Sequence, residues 1–191
     1  MIKKLSIILI AAMMLTACSD SSKTTKQKNE QSTEAASPET SKKVITNVLE
    51  HLFTGPDKKL IDLMWNPKNR TVVNNKEVNP TFDKYVAEVY GPYIADSYLD
   101  PFVSTILSQY SNFAYENGYK LSLKKISIKQ SNTDPTRYTF IAVVSYQKNK
   151  EEEKTANVEG KVYFYSKEKG KISVIKIDND NGLSDNLRKK N

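Results

Sequence analysis

Side chains that attack a substrate, exchange protons near neutrality or hold a metal are scarce in this sequence of 191 residues. It contains one histidine, His51, and one cysteine, Cys18. Nucleophilic catalysis of the serine or cysteine kind therefore has a single imidazole to draw on. That imidazole lies between Glu50 and Leu52, off the apolar stripe of its segment, where a solvated helical position is expected. Metal sites built from His and Cys fail on supply. The run Asp178-Asn179-Asp180-Asn181-Gly182 has some features of a calcium loop. Its glycine comes one place early, however, and the residue at the closing position is Lys189 rather than Glu, so a turn is expected there. The sequence has no Gly-rich phosphate loop, no GxSxG elbow and no HExxH helix. No cofactor and no metal are expected.

Tyrosine is the chemically richest residue left. Seven of the eleven tyrosines, Tyr85, Tyr90, Tyr93, Tyr98, Tyr110, Tyr115 and Tyr119, fall within one stretch. A tyrosine joins a large apolar body to a hydroxyl that seeks a partner. Tyr85, Tyr90, Tyr93 and Tyr110 are thus candidate lining residues of a pocket for an amphipathic ligand or peptide. The competing expectation is that these rings fill the core and place their hydroxyls at its rim. The carboxylates of the same region are Asp83, Glu88, Asp96 and Asp100.

Cys18 belongs to a different kind of chemistry. Lys3 and Lys4 precede an apolar run from Leu5 to Leu15, and small residues follow, which is the layout of a secretory signal. The run is shorter than the roughly 20 residues needed to span a bilayer. Leu15-Thr16-Ala17-Cys18 resembles the lipobox of bacterial lipoproteins. That resemblance implies cleavage before Cys18, diacylglycerol on its sulfur and export by the general secretory route. Each buried methylene contributes roughly 0.8 kcal/mol and one acyl chain holds only marginally, so more than one chain is what makes such an anchor stable. The expected location is the cell membrane, lipid-anchored on the extracytoplasmic face. The paucity of arginine, limited to Arg70, Arg137 and Arg188, fits an A+T-rich genome and a Gram-positive host. With no second cysteine, stability must come from burial rather than from a disulfide.

Residues 18–37 lack aromatic and large aliphatic side chains and read as a disordered, lipid-anchored linker with a span of roughly 20–25 Å. Residues 38–182 then suit one domain, and 183–191 read as a polar basic tail. Removing Lys3 and Lys4 with the signal lowers the net charge from +7 to +5. A cationic body beside anionic lipid associates weakly with it. The mixed signs of the charged runs and the exported location argue against nucleic acid as a partner.

Four helices are expected first. Ser37-Pro38 opens a stripe of Val44, Ile45, Val48, Leu49, Leu52 and Phe53 that Gly55-Pro56 ends. A short helix carries Leu60, Ile61, Met64 and Trp65. Asn79-Pro80 opens a third with Phe82, Tyr85, Val86, Val89 and Tyr90, and Asp100-Pro101 opens a fourth that Gly118 closes. From Tyr119 the period changes to two. Leu121 and Leu123 give way to Ile126 and Ile128 across Lys124-Lys125, which predicts a β-bulge. Tyr138 to Tyr146 reads as a central strand, and two further strands follow, carrying Ala156 to Phe164 and Ile172 to Ile177.

This order predicts an α+β fold, with N-terminal helices packed on a curved antiparallel sheet of about four strands. It resembles the nuclear-transport-factor-two-like superfamily, with Arg70-Thr71-Val72-Val73 as its short early strand; a cystatin-like sheet with extra helices is the alternative. The resemblance implies a cone that is filled, open to a ligand, or catalytic. Ketosteroid isomerase, which shares that architecture, uses an aspartate base with tyrosine in an apolar cavity. Asp96 with Tyr93 or Tyr110 is the nearest analogue here. Fold likeness does not transfer chemistry. The function expected is therefore a non-catalytic, membrane-anchored binding or assembly module with a protein partner in the cell envelope. A small-molecule binder with a tyrosine-lined pocket and a cyclase- or isomerase-like enzyme are the alternatives.

Overall fold

The computed structural model describes residues 37–149, 151–164 and 167–189. The lipobox and linker residues 18–36 lie outside them. Helices α1 (Pro38–Phe53) and α2 (Lys58–Trp65) come first, followed by a hairpin of β1 (Thr71–Val73) and β2 (Lys76–Val78). Helices α3 (Pro80–Val89), α4 (Asp96–Phe102) and α5 (Ser108–Glu116) precede the strands β3 (Tyr119–Gln130), β4 (Arg137–Lys148), β5 (Lys154–Tyr163) and β6 (Val174–Asn179). A last helix, α6 (Leu183–Arg188), closes the order. The fold is α+β: helices followed by a four-stranded antiparallel sheet, ordered β3-β4-β5-β6, that packs against helices.

Local chemistry starts the first three helices where the sequence places them. Ser37 Oγ accepts from the Thr40 N–H, Asp57 Oδ1 from those of Lys59 and Leu60, and Asn79 Oδ1 from that of Phe82. Pro38 and Pro80 occupy first-turn positions, where no backbone donor is needed. Gly55 ends the α1 segment and exchanges two backbone hydrogen bonds with Leu121, at 3.1 and 2.7 Å, so the sheet begins beside the first helix.

The fourth helix departs from expectation. It begins at Asp96, not at Asp100, and holds Pro101 in its interior. The cap comes from far along the chain: Glu168 Oε1 accepts the Asp96 N–H at 2.9 Å. Proline removes a donor from the ladder, and the helix then widens into a π-helical turn over Val103–Leu107 before α5. Hydroxyls back-bond to carbonyls around this turn, Thr105 to Pro101 at 2.6 Å and Ser108 to Val103 at 2.7 Å.

In the sheet, the register of β3 against β4 shifts between Leu123 and Lys125, at the expected bulge. β4 is central, and its inner face buries Tyr138, Phe140, Ala142, Val144 and Tyr146. A second irregularity lies between Glu159 and Gly160. Ile172 stands before the last strand rather than in it, bridging to Ile94. The expected early strand is one arm of the β1–β2 hairpin, turned by Asn74 and Asn75, both at positive φ.

The polar tail expected from residue 183 is corrected by α6. Leu183 and Leu187 are fully buried and belong to the main core. Their i, i+4 spacing puts both on one face of the helix, while Asp185, Arg188 and Lys189 stay exposed. Among the described residues no helix is long and apolar enough to cross a membrane.

Candidate functional site

Tyr90 and Tyr110 are packing residues, 2% and 1% exposed. Tyr90 follows α3 and lies 5.2 Å from the Phe102 ring. Tyr110, on α5, stands edge-on to Phe53 at 5.1 Å, and its hydroxyl donates to Asp180 Oδ2 at 3.2 Å. Burial first, then the Asp180 carboxylate, pushes the Tyr110 hydroxyl above its ordinary pKa. Tyr85 and Tyr93 are half-buried at the edge of the core. Tyr85 donates to Asp57 Oδ2 at 2.6 Å under the Lys59 ammonium, and burial together with that bond pushes it up to about 12. Tyr93 lies 6.4 Å from the His51 ring, which also meets Tyr90 edge-on at 5.8 Å. Three of the four candidate tyrosines thus surround the junction of α1 with α2, and Tyr110 serves the junction of α5 with α6.

An open groove of about 570 Å³ lies at that first junction, lined by Glu50, His51, Thr54, Asp57 and Leu123. Its carboxylate at Asp57 is already committed, one oxygen to the helix cap and the other to Tyr85. His51 is exposed, as its position in the sequence predicts. Asp96 and Tyr110, one form of the isomerase-like pairing, are each engaged elsewhere. Asp96 is 82% exposed and faces Lys171 at 3.3 Å, while the Tyr110 hydroxyl is taken by Asp180. Asp83 and Asp100 line a small cleft of about 190 Å³ with Phe82, Val86, Leu99 and Val103. Burial, then repulsion from Asp100, raises the Asp83 carboxyl. Cys18 lies outside the described residues. Among those residues no group of three or more His, Cys, Asp and Glu side chains converges to hold a metal.

A second cleft, of about 440 Å³, is one the sequence reading missed. It lies between α2 and α5 and is lined by Ile61, Asp62, Trp65, Asn66, Asn112, Tyr115 and Glu116. Trp65, expected on the inward stripe, is 54% exposed, and Tyr115 is 50% exposed. The Trp65 indole N–H donates to Asn112 Oδ1 at 3.3 Å, which fixes one ring across the helix pair. A signal for the cleft was present. Asp62 and Trp65 on α2, with Asn66 just after its end, and Asn112, Tyr115 and Glu116 on α5 repeat the i, i+3, i+4 spacing that gathers side chains on one helical face.

Comparison of the chain with protein-family models, curated proteins and solved structures finds no match.

Proposed function

We propose that the chain is an exported, lipid-anchored, non-catalytic binding or assembly module, held by Cys18 at the outer face of the cytoplasmic membrane and meeting a protein partner of the cell envelope through its surface. The helices-then-sheet order favours a nuclear-transport-factor-two-like cone as the finer description of the fold. The observation that carries the reading is where the tyrosines go. Tyr90, Tyr110 and Tyr138 are among the largest fully buried side chains, so rings that could have lined an open interior are spent on packing. The larger described clefts instead open outward, one between α2 and α5 and one between the α1–α2 junction and β3. A filled interior favours recognition on the exterior over an enclosed ligand.

The tether rests on Leu15-Thr16-Ala17-Cys18. Cells fed labelled palmitate should incorporate it into the wild-type protein and keep that protein in the membrane fraction. Cys18→Ala should lose the label and leave an unprocessed precursor. Palmitate label persisting on Cys18→Ala would defeat the anchor.

A further inference from the structure

We propose that the cleft between α2 and α5 is a docking site for a lysine or arginine side chain of a partner protein. The assignment rests on reading the chain as a binding module but not on the lipid anchor. Trp65 and Tyr115 offer aromatic faces to solvent, and such faces attract cations through the ring quadrupole. The ionisable groups of an ordinary pH range that line the cleft, Asp62 and Glu116, are both acidic. Neither is engaged in an ion pair among the described residues. Two unpaired carboxylates beside two exposed rings, on a chain of net charge +7, form a local exception to the overall sign. A basic side chain complements both features at once: its apolar stem covers ring surface while its charged head meets a carboxylate.

The surroundings point to a polypeptide as the source of that cation. The exposed large apolar side chains among the described residues are Trp65, Val72, Val73, Tyr115 and Ile141. All but Ile141 belong to the cleft or to the hairpin that follows it. Arg70, at the foot of the hairpin, donates to the Met64 carbonyl at 3.1 Å and ties the hairpin to α2. Exposed apolar side chains gathered on the α2–hairpin stretch and on α5 mark a protein-interaction surface rather than a site for a free small cation.

Trp65 is the only tryptophan of the chain, so its fluorescence reports on this cleft alone. The full-length protein in detergent is titrated with acetyl-tetralysine amide and acetyl-tetraarginine amide, with choline and tetraglutamate in parallel. A saturable change in Trp65 emission is expected with the basic peptides and none with tetraglutamate. Asp62→Asn with Glu116→Gln, both at exposed positions, should weaken the peptides at least ten-fold with an unchanged circular dichroism spectrum. Glu88→Gln with Asp185→Asn removes the same charge elsewhere and should leave the affinity as it was. Full-length Cys18→Ala should bind like the wild type, so that failure of the anchor and failure of the cleft are read separately. Absence of saturation with both basic peptides, equal weakening by the two double variants, or binding confined to the acylated protein overturns the site. Choline matching the peptides in affinity overturns the polypeptide source.

Discussion

The Tyr110 hydroxyl donates to Asp180 Oδ2 across 3.2 Å, joining the first turn of α5 to the turn that launches α6. The ring and the hydroxyl do separable work. Tyr110→Phe keeps the edge contact with Phe53 and gives up one hydrogen bond to a carboxylate, a loss of about 1.5–3 kcal/mol. Tyr110→Ala also empties a fully buried ring site and should cost about 3–5 kcal/mol. Urea unfolding of both variants measures the two contributions. Equal losses would mean that the ring is not core.

Asp180 makes this junction sensitive to acid. Burial works to raise its carboxyl, but hydrogen bonds from Ser184, Tyr110 and the Gly182 N–H outweigh it and hold the pKa below the usual carboxylate value. A depressed folded-state pKa gives stability that is present above the unfolded value of about 4 and is lost as pH falls through the folded one. Asp180→Asn has no such proton to take up. The stability gap between wild type and Asp180→Asn should therefore be full above about pH 5 and narrow as pH falls through about 4 and below. Thermal unfolding across that range reads it, and a gap that stays constant would remove the linkage.

The contrast between α1 and α4 shows what was legible in the sequence. Ser37 and Asn79 cap helices through contacts within three residues, so their sequence signals and their geometry agree. Asp100-Pro101 offers the same kind of signal and misleads, because the N–H of Asp96 is satisfied by Glu168, 72 positions away. No local pattern contains that bond. The bulge after Leu123 was legible because it flips the alternation of apolar residues. α6 was not, since Leu183 and Leu187 are too few to show a period among Asp185, Asn186, Arg188 and Lys189. The α2–α5 cleft escaped for a related reason: Trp65 sits where an apolar stripe would run, and only the neighbouring helix decides which way that face looks.

Gly160 marks a place where the sheet has no room. A Cβ there would lie 2.3 Å from the Lys176 carbonyl oxygen and 2.7 Å from the Phe140 ring. The carbonyl is backbone and the ring is buried in the core, so neither yields easily. Gly160→Ala should destabilise by about 1–3 kcal/mol through overpacking. The loss should shrink when Phe140→Leu is added, because that removes one of the two obstacles. Additive losses in the double variant would put the strain on the carbonyl alone.

Trp65 and Leu60 occupy the same short helix, and the sequence pattern gives both to its apolar stripe. Leu60 is fully buried, whereas Trp65 leans outward on Asn112 with half its surface in water. Truncation should separate them. Leu60→Ala leaves a cavity and should cost about 2–5 kcal/mol. Trp65→Ala removes mostly exposed surface and one exposed hydrogen bond, and its cost should stay within about 1 kcal/mol. Acrylamide should quench the native Trp65 fluorescence readily for the same reason. A protected tryptophan, or a Trp65→Ala variant as unstable as Leu60→Ala, would return this ring to the core and close the cleft between α2 and α5.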